Sequence, residues 1–478
     1  MRIAGLFESS DTSTARLIFG WLLLAVSSLM FAGMFAVLVV LARTPFIENM
    51  LPMGRDYIYV ALVGHVDLAV VIWFLAFQGA LLLITGIVGS GKGVWSAGLG
   101  WASLALSYAG MLIVVIAAAF GLGRAELANY VPVLLTPVFY AGLLAFATGV
   151  FLALVNTGIR LISAVINGER LNALTVGMAV CGLGVFIAFL CFGLSAYFQW
   201  SSGKAAAIDF ERLFWGGGHI LQAVNTASMV VAWGLLARIV FNSDLAGERA
   251  SKALFAVYLV FMLPAPFIYF IYDTSSYAYK DSFTFLMRWG LGPSTVVFIV
   301  AAIWLIASKR ERNWADPGLA SLALSILCFI TGGVIGFNIS GLNTKIPAHY
   351  HSNIGAVTIA FMGLFYKLLP SLGREVYFKR LSVVQPYLYA AGILLFVAGL
   401  YLAGAHGAAR KTYAGAQGAD DNTWKMLGMV VMGLGGAVSI AGGIAFVVNA
   451  LASLVGRKNA EEREDAKAVA EPYRRHSH

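Results

Sequence analysis

Residues 15 to 455 alternate between long apolar stretches and short polar or charged segments. A helix needs about 20 apolar residues to cross the hydrocarbon core of a bilayer, so the pattern predicts about twelve transmembrane spans. They fall near 15–42, 57–88, 98–122, 131–155, 173–199, 209–241, 253–273, 286–307, 317–340, 348–370, 383–404 and 425–455. The implied fold class is all-α, a polytopic membrane bundle in which residues 1–456 form one twelve-helix domain.

The two ends differ in character. MRIAGLFESSDTSTARL carries two arginines and two acids before an apolar stretch with no small-residue cleavage site, which reads as a retained first span and not a signal peptide. The other end, RKNAEEREDAKAVAEPYRRHSH over 457–478, is densely charged without an apolar face, and reads as a solvated, disordered tail. Its His476 and His478 carry no chemistry.

Composition agrees: 60% of residues are hydrophobic and only 12% charged, outside the range of soluble proteins. The net charge of +9 sits largely in loops and flanks and does not argue for nucleic acid. Lys92, Arg160, Arg170, Arg238, Arg249, Lys252, Lys309, Arg310, Arg312, Arg374, Lys379 and Arg380 fall on one side with both termini. The opposite loops carry fewer basic residues, among them Arg43, Arg55, Arg124, Lys204, Lys280, Lys345, Arg410 and Lys411. By the positive-inside rule both termini are cytoplasmic. Cys181, Cys191 and Cys328 lie inside apolar runs and match no zinc or disulfide spacing. There is no P-loop, soluble domain or dependable repeat.

Candidate chemistry rests on histidine. Of seven, four open apolar spans: His65 in VGHVDLAVVIWFLAFQG, His219 in LFWGGGHILQAVNTASM, and His349 and His351 in IPAHYHSNIGAV. These are the second, sixth and tenth spans, which all enter from the extracytoplasmic side. Four imidazoles at similar depth in one half of a bilayer are costly, and the coincidence marks a functional site. At about 100° per residue, His349 and His351 point to nearly opposite faces of one helix. They cannot easily share an ion, but each can hold a separate flat cofactor, and neutral imidazole is the usual axial ligand of heme iron.

HVDLAVVIWFLAFQG, WGGGHILQ and HYHSNIGAVTIAFMGLFYKLLP resemble the second, sixth and tenth helices of the catalytic subunit of heme-copper oxidases. The likeness is nearest the branch of cbb-type oxygen reductases and nitric oxide reductases and covers the twelve-span core. It implies two hemes, for which b-type is the expectation although the sequence does not decide the heme type. His65 and His351 would be axial ligands of a low-spin heme, His349 the proximal ligand of the high-spin heme that meets the gas, and His219 a ligand of an adjacent copper or non-heme iron. His349 and His219 would then be the catalytic pair, in a bacterial or archaeal inner membrane.

The family supplies two adjacent histidines near the start of the seventh helix to complete that second metal. Here the chain reads FMLPAPFIYFIYDTSSYAYKDSFTF, with no histidine between His219 and His349. Asp273, Tyr272, Tyr277, Tyr279 or Gln222 can substitute, or YDTSSYAYKDS is simply a loop and the metal is absent. Asp67 can orient a ligand or mark the water interface. Gln222 and Asn225 can line a gas site or join helices. Arg410 and Lys411 can neutralise heme propionates or be solvated. Glu211 and Lys204 can feed protons from outside, and Lys367 can snorkel.

Three functions remain in play: a gas reductase for nitric oxide or oxygen with an atypical second metal, a diheme electron-transfer or gas-sensing protein without it, and a secondary transporter using histidine relays. The first leads. No CxxCH motif or soluble copper domain is present, so a cytochrome c subunit anchored in the membrane, or quinol, would be the electron donor.

Overall fold

The structure, a computed structural model, describes residues 12–44, 55–90, 93–201, 208–411 and 422–456. The N-terminal stretch before Thr12, Lys92, Lys204, and the tail from Arg457 lie outside the described residues, as do the side chains of Arg43 and Arg55. Twelve described helices are long and apolar enough to cross a membrane. They are α1 (Ser13–Ala42), α2 (Asp56–Ile87), α3 (Ala97–Ala119), α4 (Pro137–Ile166), α5 (Ala173–Ser201), α6 (Phe210–Phe241), α7 (Glu248–Ile271), α8 (Tyr277–Ser308), α9 (Pro317–Phe337), α10 (Lys345–Leu372), α11 (Lys379–Ala405) and α12 (Thr423–Val455).

Sequential neighbours pack as antiparallel pairs, α3 on α4, α5 on α6, α9 on α10 and α11 on α12. Lipid tails give no hydrophobic drive for such pairing, so close backbone approach has to supply it. At Gly399 of α11 a Cβ would collide with the Met432 backbone of α12.

Three elements depart from the apolar pattern. The fourth span begins later and runs further inward than 131–155, because Val133–Leu134 pair antiparallel with Ala125–Glu126 in an outer hairpin. Pro137 then starts the helix, where a missing N–H costs nothing. The seventh span is interrupted around Leu263 and Pro264. In α2 the stretch Asp67–Ile72 is a π-helix, a form that concentrates at functional sites. Ser28 of α1 donates to the Leu68 carbonyl there at 2.6 Å.

The arrangement of the twelve is what positions the site. In α2, α6 and α10 the buried share of the apolar window is 83%, 72% and 83%, against 28% for α4. The three histidine-bearing helices are therefore the innermost of the bundle.

Candidate functional site on the three innermost helices

Each of the four histidines ties Nδ1 to a main-chain carbonyl. His65 reaches Ala32 of α1 at 3.1 Å, and His219 reaches Trp215, one turn earlier, at 2.7 Å. His349 reaches Gly332 of α9 at 2.7 Å, and His351 reaches Pro347 at 2.8 Å. A carbonyl can only accept, so Nδ1 carries the proton in all four and Nε2 keeps its lone pair. That tautomer is the one in which a neutral imidazole ligates a metal, with the second nitrogen held by a hydrogen bond.

The pair on α10 diverges. His349 turns toward α9, where a Cβ on Gly336 would lie 2.8 Å from its Nδ1. His351 packs against Phe396 of α11, ring centres 5.0 Å apart. His351 also lies at about the height of His65. Phe77 of α2 stacks on Phe361 of α10 at 4.3 Å, and the two helices run parallel. Twelve residues back on α2 and ten back on α10 are each about 15–18 Å toward the outer face.

Packing differs between the two halves of these helices. From Ala356 to Tyr366, α10 is buried, and α2 is buried from Ile72 to Leu82. Toward the outer face, Leu62, His65, Val66, Ala69 and Val70 of α2 are only half-buried, as are His349, Tyr350, His351, Asn353 and Ile354 of α10. On the most enclosed helices of the bundle, the half-buried positions thus gather toward the outer face, around the imidazoles. Above them, Thr344 donates its N–H to the Ala408 carbonyl at 3.1 Å. Arg410 and Lys411 are thereby set over the outer end of α10.

His219 has different surroundings. The Tyr130 hydroxyl lies 3.1 Å from its Nε2 and 3.3 Å from Oε1 of Gln222. Burial first, and Glu211 second, raise the Tyr130 pKa above the usual phenol value. The phenol therefore keeps its proton, and that proton caps the His219 lone pair. Trp215 and Phe283 flank the imidazole with ring centres at 4.9 and 6.0 Å. Among the described residues, no three His, Cys, Asp or Glu side chains converge anywhere as a metal group. A narrow apolar crevice lined by Ala223, Tyr258, Met262, Leu286 and Gly290 reaches His219 between α6, α7 and α8.

The alternative ligands are placed elsewhere. Asp273 is exposed in the outer turn before α8 and accepts from Ser275 N at 2.8 Å and its Oγ at 2.7 Å. Tyr272 and Tyr277 are exposed, and Tyr279 bonds Tyr269 at 3.2 Å. Asp67 is fully buried, not at the water interface, and neither carboxyl oxygen has a partner among the described residues. Asn225 joins helices, accepting from Gln78 at 2.8 Å. Lys367 pairs with Asp316 at 2.7 Å.

Loop residues complete the outer surface. Glu211 accepts from Asn129 N at 2.8 Å, Arg410 donates to the Asn129 side chain, and Lys411 to the Leu127 carbonyl. Burial, then neighbouring Arg410, push the Lys411 pKa below its ordinary value, against a smaller opposing pull from Glu211. The hairpin loop is thus stitched to α6 and to the segment after α11. Tyr130 and Asn129 were not legible in sequence, because a loop tyrosine carries no periodicity and meets His219 from 89 positions away.

Comparison with known proteins bears on the family and the fold. A family model for cytochrome c and quinol oxidase polypeptide I matches residues 16–439. The chain belongs to this family.

Among curated proteins, this oxidase-family chain is 25% identical to cytochrome c oxidase subunit 1 of Thermus thermophilus, over 88% of the chain and 80% of that protein. An uncharacterized protein of Aquifex aeolicus is 29% identical over 78% of the chain and 89% of its own length. One from Rickettsia prowazekii is 27% identical over 89% and 94%. Among solved structures, a heme-copper terminal oxidase dimer superposes with a TM-score of 0.75 at 18% identity, over 94% of this chain and 85% of that one. The fold is that of heme-copper oxidase subunit I, in a multi-pass membrane protein, and the family is one of respiratory oxidoreductases.

Proposed function

We propose that this chain is the diheme subunit of a membrane-bound respiratory oxidoreductase, in which electrons arriving at a bis-histidine site pass to a second site open to a diatomic gas. His65 and His351 would hold a low-spin heme between α2 and α10, and His349 a high-spin heme on the opposite face of α10. Such hemes supply single-electron transfer in the first position and gas coordination in the second. The chain's own residues fix the imidazole tautomers, bring two of the rings to one height and set Arg410 and Lys411 over the outer end of α10. There they would pair with heme propionates. What supports this most is the shared Nδ1-to-carbonyl arrangement at His65, His349 and His351.

We further propose that no second metal sits at His219. The carrying observation is the Tyr130 hydroxyl at 3.1 Å from His219 Nε2. One imidazole, one protonated phenol and one amide make a poor donor set for copper or iron. On this reading the protein transfers electrons and binds gas but does not carry out multi-electron reduction.

The second reading is a nitric oxide or oxygen reductase with an atypical iron or copper. The apolar crevice that ends at His219 favours it, as a route for a small apolar gas. Elemental analysis against a pyridine hemochrome assay separates the two. Two hemes without stoichiometric non-heme metal support the first reading, and one extra iron or copper per heme pair establishes the second. Under either reading the electron donor is quinol or a cytochrome c subunit.

A further inference from the structure

We propose that Ser28 of α1 is a positioning residue for the low-spin heme, an inference that rests on the heme reading above. Its hydroxyl holds a one-residue insertion in α2, and that insertion turns His65 toward α10.

The insertion is the π-helical stretch Asp67–Ile72. At its inner end the Trp73 N–H donates to the Leu68 carbonyl, five residues back, where an α-helix would use the N–H of Ile72. A turn closed in this way holds one residue more than an α turn. The outer half of α2 is therefore rotated against the inner half by one helical step, about 100°.

That rotation decides where His65 points. Inward of the insertion, Trp73 and Phe77 mark the face of α2 that meets α10, their ring centres 6.2 and 4.3 Å from that of Phe361. In an uninterrupted α-helix His65 would lie about 80° around the axis from Trp73 and about 120° from Phe77. With one residue taken up by the insertion, it lies about 20° from each, between the two. His65 thus joins the α10-facing side of α2 because the π turn is there.

What holds the π turn comes from α1. Ser28 is fully buried and donates its hydroxyl to the Leu68 carbonyl at 2.6 Å. This is the oxygen that accepts from Trp73, so Ser28 takes up its second lone pair. A side chain inserted into the helical ladder is a known cause of departure from α geometry. One turn further along α1, the Ala32 carbonyl accepts from Nδ1 of His65 at 3.1 Å. One helix therefore fixes both the rotation of the segment and the tilt of the ring. Gly64 permits the approach, since a Cβ there would lie 3.1 Å from the Phe35 ring of α1.

Electron paramagnetic resonance of the oxidised full chain in membranes tests the proposal, because the g values of a bis-histidine iron follow the angle between its two imidazole planes. Ser28→Ala should shift the low-spin g values and leave the high-spin signal where it was, since His349 is held from α9 by the Gly332 carbonyl. The unshifted high-spin signal also reports that the variant has folded. Transfer of the low-spin heme to apomyoglobin should quicken about two- to twelvefold, the span of one net hydrogen bond. Unchanged low-spin g values in Ser28→Ala, or equal shifts at both hemes, would overturn the proposal. A parent chain with no bis-histidine signal would overturn the heme reading itself, and the proposal with it.

Discussion

His349 of α10 donates its Nδ1–H to the Gly332 carbonyl of α9 at 2.7 Å, and Gly336, one turn further along α9, leaves the space in which the ring lies. The orientation of this imidazole is thus set chiefly by a neighbouring backbone, while the side-chain amide of Asn353 on its own helix lies 3.5 Å from Nε2. That Nε2 is left as the ligand.

Replacing Gly336 with alanine should therefore disturb His349 alone. The new Cβ would sit 2.8 Å from Nδ1, so the ring must move and its carbonyl bond must lengthen. Carbon monoxide binding to the reduced protein should fall sharply while the low-spin spectrum persists. Equal loss of both signals would contradict the separate placement of the two sites.

The two faces of α10 predict separable spectra. His351→Ala, or His65→Ala, should abolish the low-spin component in reduced-minus-oxidised spectra, whereas His349→Ala should remove the high-spin component and gas binding. An unchanged low-spin spectrum in His351→Ala would sink the assignment.

Tyr130→Phe removes the hydroxyl that caps His219. The loss of one hydrogen bond that leaves Nε2 unpaired should cost about 1–2 kcal/mol. Heme content should not change, because Tyr130 touches none of the other three histidines. Thermal unfolding followed at the Soret band measures both.

Lys411 predicts a pH dependence. Burial, then Arg410, lower its pKa in the folded state from the ordinary 10.5. Between the folded value and 10.5 the unfolded chain binds more protons, so this contribution to stability rises with pH across that window. Below it the penalty for holding the charged form is constant. Lys411→Met should flatten the slope of the melting temperature against pH on the alkaline side, and a slope equal to that of the parent would exclude Lys411 as its source.

Much of the fold was legible in sequence, because spanning a bilayer is a local requirement that any sufficiently long apolar helix meets. The count of twelve and the histidines' place in α2, α6 and α10 both follow from it. The exceptions arose where a different local rule competed. Val133 and Leu134 read as the start of a helix but pair with the strand before them, and Pro137 begins the helix afterwards.

The candidate site was legible only by residue type. Sequence placed four imidazoles at the mouths of three spans, and 100° per residue put His349 and His351 on opposite faces. It could not supply the Ala32 and Gly332 carbonyls, which come from other helices, or the outer loop that carries Tyr130 to His219. It also could not tell that Asp273 is spent on its own turn while Asp67 is buried without a partner. Hydropathy and helical period are properties of a segment, so the chain alone fixes them. A donor set is a property of several segments meeting, and only the packing of the bundle decides it.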